Sequence, residues 1–346
     1  MMGVFFSFKL KSCGLGKKSS ITRASMGSFG HLSLDNREMT CYNEAMNNKF
    51  SLRQFRRKYG THEQCLDAIK SIRFPDEMNC EKCKKLSIFY PIKGRTAYTC
   101  KYCGYQIYPL AGTIFEKSTT PLDLWFFAMY LMVQTRSGIS AKQLERMLGV
   151  TYKTAWRMFR QIRILMAEMG DDMLNGIVEI DETFVGGKGK NRAHKWIQGV
   201  EEKQKEVLMG IVERNGKAYI RHITTTGKWA LIEQIQKYVS PKARVITDEF
   251  LGYAGIYKYG YKHDSVNHRS QQYVLGDIHT QTIESFWSGL KRGIYGVYRV
   301  VSKKYLQAYA DEYAWRYNNR KAYGGMFDIL LRQVANVKAI QPSLIK

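Results

Sequence analysis

The sequence predicts an α/β fold in which a mixed sheet flanked by helices follows a small cysteine-anchored module and a helical segment. Three observations carry this. β-Branched, alternating runs between residues 177 and 248 are interleaved with helix-period stretches, as in a mixed sheet covered by helices. Two Cys-x-x-Cys pairs stand close together ahead of it. Between the two, residues 120–169 carry helix caps and 3.6-residue periodicity without strand signals.

Length and charge narrow the classes further. At 346 residues the chain has room for two or three domains, and 45% apolar content suits a folded protein. The 54 Lys and Arg against 30 Asp and Glu leave +24, which points to a polyanion: nucleic acid first, an anionic membrane surface second. No apolar run approaches the roughly 20 residues that span a bilayer. The best, residues 122–133, is too short and contains Asp123. The opening MMGVFFSFKLK lacks the basic n-region of a secretory signal, so a cytosolic protein is expected. That setting disfavours a disulfide framework for the 7 cysteines; Cys13, Cys41 and Cys65 read as free or buried thiols.

Residues 1–48, rich in Gly, Ser, Lys and Asn without sustained periodicity, are expected to form a poorly ordered tail. Segment 49–115 opens with SLRQFRRKYGTHEQCLDAIKSI, helix formers broken at Gly60, and continues into CEKC and CKYC. Cys80 and Cys83 are separated from Cys100 and Cys103 by 16 residues. That spacing sets four thiolates around one tetrahedral, structural Zn²⁺, with a hairpin between them turning at Lys93-Gly94. A module this small depends on its metal for folding. Its 12 Lys and Arg against 5 Asp and Glu over residues 51–103 suit a phosphate backbone; a domain spacer is the plainer role.

Helical signals fill 116–172. Thr120-Pro121 reads as an N-cap with proline at N1, ahead of a buried helix to Val133. Ser140 and Gln143 read as a capping box, Gly149 as the stop, and Thr151 as the next cap. In that next helix Ala155, Met158, Phe159, Ile162, Leu165, Met166 and Met169 form a core stripe, while Lys153, Arg157 and Arg160 line an outer face. Two short helices joined at Leu148-Gly149-Val150, the second basic, suggest a helix-turn-helix that enters a DNA major groove; a plain helical linker is the alternative.

The third segment runs from 173 to 335, with 336–346 as a tail. IVEIDETFV reads as a strand bearing Asp181, and EVLMGIVE and KAYIRHI flank the hairpin signal Asn215-Gly216. A helix over 229–239 follows, then the strand ARVITDEF with Asp248 near its end. Three antiparallel strands, a helix, a further strand and later helices are the order of a ribonuclease H-like domain. In HTQTIESFWSGLKRGIYGVYR, residues 279–299, the core face of a helix carries Ile283, Phe286, Trp287 and Leu290. Glu284, Ser288 and Lys291 line another face. A last helix over 302–318 shows Leu306, Tyr309, Tyr313 and Tyr317 on one side, most simply packed on the sheet.

Clustered without a partner, Asp181, Asp248 and Glu284 would repel one another. A pair of Mg²⁺ ions about 3.5–4 Å apart would remove that repulsion and activate a water or 3′-hydroxyl against a phosphodiester. Glu182 and Glu249 compete for ligand roles, but in an extended strand they point to the opposite face. Lys188, Lys190 and Arg192 form a basic glycine-rich loop after the first aspartate. Lys291, Arg292 and Arg299 stand among Tyr295 and Tyr298. Cations beside rings suit a distorted or single-stranded DNA end; a solvated loop is the bland reading of each.

Four stretches together resemble a known family: IDETFVGGK at 180–188, VITDEF at 245–250, HTQTIESFWSGLKRGIYG at 279–296 and YNNR at 317–320. Over roughly residues 51–320 the chain resembles the DDE-type insertion-sequence transposases of the Merlin-related (ISXO-type) group, in which a zinc ribbon precedes a ribonuclease H-like domain. The resemblance implies cleavage and strand transfer of double-stranded DNA by Asp181, Asp248 and Glu284 with Mg²⁺ or Mn²⁺, and Lys291 as the lysine following the third acid. It also implies binding to element terminal repeats and target DNA, a homodimer or larger assembly on DNA, and a cytoplasmic, nucleoid-associated bacterial setting. Two alternatives stay open: a non-catalytic DNA-binding regulator, which explains the charge but not three separated acids, and a structure-specific nuclease without strand transfer.

Overall fold

Two reciprocal capping boxes start the first helices, Ser51 with Gln54 for α1 (Leu52–Tyr59) and Thr61 with Gln64 for α2 (His62–Arg73). The computed structural model describes residues 50–167, 172–186, 205–266, 276–322 and 325–336. The expected N-terminal tail, the basic loop at 188–192 and residues 337–346 lie outside them.

After α2 come four short antiparallel strands, β1 (Glu77–Asn79), β2 (Leu86–Pro91), β3 (Tyr98–Cys100) and β4 (Gln106–Ile107), in sequential order. Phe89 and Tyr98 turn inward, and Tyr98 donates a short hydrogen bond to Asp67 on α2, tying the ribbon to the helices. Then follow α3 (Leu122–Gln134), α4 (Ala141–Leu148) and α5 (Tyr152–Leu165). Pro121 is itself the boundary of α3, with ψ 144, so the helix begins one residue later than expected and without a side-chain cap. Ser140 accepts from the Gln143 N–H, Gly149 closes α4 at φ +65, and Thr151 caps α5. Among the described residues no helix is long and apolar enough to cross a membrane.

The main sheet has five strands in the order β7-β6-β5-β8-β9: β5 (Ile177–Val185), β6 (Glu206–Glu213), β7 (Ala218–Ile223), β8 (Arg244–Asp248) and β9 (Lys262–Val266). β5, β6 and β7 pair antiparallel, whereas β8 and β9 join parallel, giving the ribonuclease H-like sheet. The fifth strand, KHDSV, was not expected; it is a polar edge strand whose pattern gives no apolar alternation. Helix α6 (Lys228–Tyr238) covers one face with Val178, Ile180, Met209 and Val245; α7 (Gln281–Gly293) and α8 (Lys303–Asn318) cover the other with Val185, Leu208 and Ile220.

Side-chain amides on α8 close the β7 edge, where another chain could otherwise pair. Gln307 accepts from the His222 N–H at 2.7 Å and donates to the Ile220 carbonyl at 2.9 Å. Asn318 does the same for Ala218, at 2.7 and 3.0 Å. The YNNR stretch is thus an edge seal, with Arg320 reaching the Gly216 carbonyl.

The other side of α8 faces α5. Tyr309 packs there with Trp315, not on the sheet as expected, because the helix is buried on two sides. Between α5 and α8 lies a buried charge cluster: Arg163 and Arg316 each approach the fully buried Glu312 carboxylate at 2.7 Å, and Tyr298 donates to it at 3.1 Å. Burial alone would raise the Glu312 pKa, but the two guanidiniums outweigh it and hold the carboxyl below its ordinary value. The chain ends its described course in α9 (Met326–Asn336), which returns to α2, α3 and α5 and inserts Phe327 among Phe55, Tyr59 and Phe126.

Candidate active site

Strand register places the two aspartates. Ile177, Val178 and Glu179 pair with Arg244, Val245 and Ile246 on the parallel neighbour. Continuing that offset sets Asp181 level with Asp248, side by side on the same face of strands about 4.8 Å apart. Asp181 lies midway along β5 and Asp248 at the carboxyl end of β8, both on the α7 side. Glu284 sits in the first turn of α7, where its acid complements the helix N-terminus. Charge reaches between them: burial first, then the Asp248 carboxylate, with a smaller push from Glu284, raise the Asp181 pKa to about 6. The charges of the three acids thus reach one another, with the aspartates half-buried and Glu284 exposed.

Each acid is held. Trp287, one turn after Glu284, donates its indole N–H to Asp181 Oδ2 at 3.0 Å. Asp248 Oδ1 accepts the Phe250 N–H at 3.0 Å, and Glu284 Oε1 accepts from Thr280 at 2.8 Å. Glu182 points away through the sheet, as the strand alternation requires, to a short hydrogen bond from Tyr253. Burial, with Asp181 and Asp248 adding to it, pushes its carboxyl up to about 7 against the lowering Tyr253 bond.

One functional residue was missed by sequence reasoning. Glu179 lies two positions before Asp181, on the same face and fully buried. Its carboxylate accepts the Ile283 N–H at 3.0 Å and the Thr282 hydroxyl at 2.9 Å, doing for α7 what its N-cap Thr280 does not. Arg214 neutralises it at 2.6 Å and also binds the Asp277 and His279 carbonyls at 2.7 and 2.8 Å. The signal was present: a third acid at an inward position of a buried strand needs a partner.

The remaining candidates fall in different places. Lys291 is half-buried, two turns beyond Glu284, with no ion pair to a described residue. α7 widens into a π-helical turn over Ile294–Tyr298, and Arg292, Tyr295 and Arg299 are exposed, Arg299 at φ +66. Tyr298 instead plugs into the Glu312 cluster. On α5 only Lys153, in the exposed first turn, faces solvent freely. Arg157 is half-buried and donates to the Glu116 carbonyl at 3.4 Å, and Arg160 lies 4.8 Å over the Tyr305 ring. The expected three-residue outer face is therefore interrupted, because α8 packs over Arg160 and the segment at Glu116 over Arg157 where helical periodicity alone placed solvent. Lys188, Lys190 and Arg192 lie outside the described residues.

Two kinds of metal site can be tested against the donors present. Cys80, Cys83, Cys100 and Cys103 bring their sulfurs within 4.8 Å of one another, with 3.5 Å for Cys80–Cys103 and 3.9 Å for Cys83–Cys100. A tetrahedron of Zn–S bonds of about 2.3 Å has edges of about 3.8 Å, so the set fits a structural zinc. Each knuckle closes on a left-handed residue, Lys84 at φ +59 and Gly104 at φ +71. Asp181, Asp248 and Glu284 offer only oxygen donors, the kind a hard divalent cation takes, but among the described residues the four cysteines alone are grouped closely enough to hold an ion.

Residues 173–318 match the ISXO2-like transposase domain family, and residues 60–106 match the transposase zinc-ribbon domain family. The chain is also similar to an "uncharacterized protein in transposable element ISH50" of Halobacterium salinarum, at 28% identity over 276 residues, covering 74% of this chain and 90% of that protein.

Proposed function

We propose that the chain, with its matches to the ISXO2-like transposase domain and the transposase zinc-ribbon domain, is an insertion-sequence transposase that binds the terminal repeats of its element, cleaves them and joins them to target DNA. The observation that carries this is the level placement of Asp181 and Asp248 on parallel strands, with Glu284 delivered to them by a helix anchored on the same strand. Asp181, Asp248 and Glu284 would hold two Mg²⁺ or Mn²⁺ ions. Bound there, the ions supply Lewis acidity for a water or 3′-hydroxyl and for the leaving oxygen of a phosphodiester.

The chain's own residues do the rest. Lys291 meets a phosphate beside the acids, and Arg292 and Arg299 neutralise the backbone further out. Tyr295, 47% exposed, offers a ring for an unpaired base at the cut end. The first turn of α5, led by Lys153, and the basic ribbon bind duplex flanking the cut, and pairing two ends requires at least two copies of the chain. Incubation with Mg²⁺ or Mn²⁺, labelled element ends and a target plasmid tests this. Cutting and joining are expected, both lost in Asp181→Asn and Glu284→Gln with end binding kept. Cutting without joining would reduce the protein to a nuclease, and binding without cutting to a regulator.

A further inference from the structure

Trp287 is 4% exposed, and its ring packs against β6 at Gly210, the residue paired with Asp181. A Cβ on Gly210 would stand 2.6 Å from Trp287 Cζ2 and 2.9 Å from Ile283 Cδ1, so no other residue leaves room for the indole there. Glycine in a strand interior weakens the strand unless something needs the space, and here the indole does. The ring's only polar atom is spent on Asp181 Oδ2. Indole N–H donates and cannot accept, so it neither takes a proton nor ligates a metal. Glu284 and Trp287 are one helical turn apart, so α7 brings the third acid and the donor that orients the first acid in one docking event.

We propose that Trp287, seated by Gly210, is a positioning residue: it fixes the Asp181 carboxylate in the rotamer that presents its free lone pairs to a divalent cation. This rests on the reading of the acids as a metal site.

The test measures Mn²⁺ affinity by the electron paramagnetic resonance of free Mn²⁺, alongside melting temperature, end binding and cleavage. Trp287→Phe removes the donor, and benzothienylalanine at 287 removes only the N–H while keeping the ring shape, which guards against a variant that fails to fold. Both should weaken Mn²⁺ binding and slow cleavage about tenfold or more, with end binding unchanged. Gly210→Ala should do the same by displacing the ring, and the double variant should bind Mn²⁺ no worse than the weaker single. Wild-type Mn²⁺ affinity in the benzothienylalanine protein, with only the melting temperature lowered, would make Trp287 a packing residue and overturn the inference. Asp181→Asn separates the two failures: if it too leaves Mn²⁺ affinity unchanged, the metal site itself is wrong, and not merely the role of Trp287.

Discussion

The carboxylate of Glu179 accepts the backbone N–H of Ile283 at 3.0 Å, so the strand that bears the first acid also caps the helix that bears the third. The distance between Asp181 and Glu284 is thereby set by one fully buried side chain with Arg214 as its counter-ion. Glu179→Ala would strip Arg214 of its counter-ion and the α7 N-terminus of its side-chain acceptor, and should destabilise the fold by about 3–5 kcal/mol in denaturant titration. Glu179→Gln keeps an acceptor for Ile283 and should fold better, while slowing cleavage through a looser α7. Equal stability of both variants with wild type would show that the cap carries no weight.

Glu312 makes a second prediction, this time about how the helical segment is joined to the sheet domain. Removing its charge by Glu312→Gln leaves Arg163 and Arg316 facing each other in the interior and should also cost about 3–5 kcal/mol. The pH dependence has a definite sign. The folded carboxyl sits below its ordinary value, so its contribution is complete above about pH 4.3, the unfolded glutamate value, and is lost as pH falls through the folded one. The stability gap between wild type and Glu312→Gln should therefore narrow in acid, and a gap that widened there would contradict the assignment.

Cys80→Ser should lower bound zinc and unfold the ribbon, because its sheet is too small to hold itself together without the metal. Zinc content by mass spectrometry is the check; an unchanged zinc-to-protein ratio would count against the four-cysteine site. The sheet domain, with its own cores on both faces, should keep its far-ultraviolet circular dichroism.

Lys84 occupies the left-handed position that Gly104 fills in the other knuckle. Lys84→Gly should relieve that conformation and stabilise the ribbon by about 0.5–1 kcal/mol, seen as slower zinc release to a chelator. Faster release would mean that the lysine side chain contributes more than its backbone costs.

What the sequence made legible was local or periodic. The two knuckles are read from spacing alone, and the core face of α7 from Ile283, Phe286, Trp287 and Leu290, all buried. That Asp181 and Asp248 share a site was expected from the chain order of the elements; the parallel β5–β8 pairing makes their strands neighbours. Features that depend on a neighbour were hidden. Arg157 and Arg160 look like an outer face until Glu116 and α8 meet them, and α9 gives no sign that it returns to α2 and α3. Glu179 and Gly210 left traces, a buried acid and a strand glycine, whose meaning requires knowing that α7 docks there.

The central claim is that three separated acids form one seat for divalent cations. The most direct measurement is an anomalous-difference map from crystals soaked in Mn²⁺. Strong peaks bounded by Asp181, Asp248 and Glu284, absent from Asp181→Asn crystals, are the expected result. Mn²⁺ peaks elsewhere only, in a protein that still cleaves element ends, would contradict it.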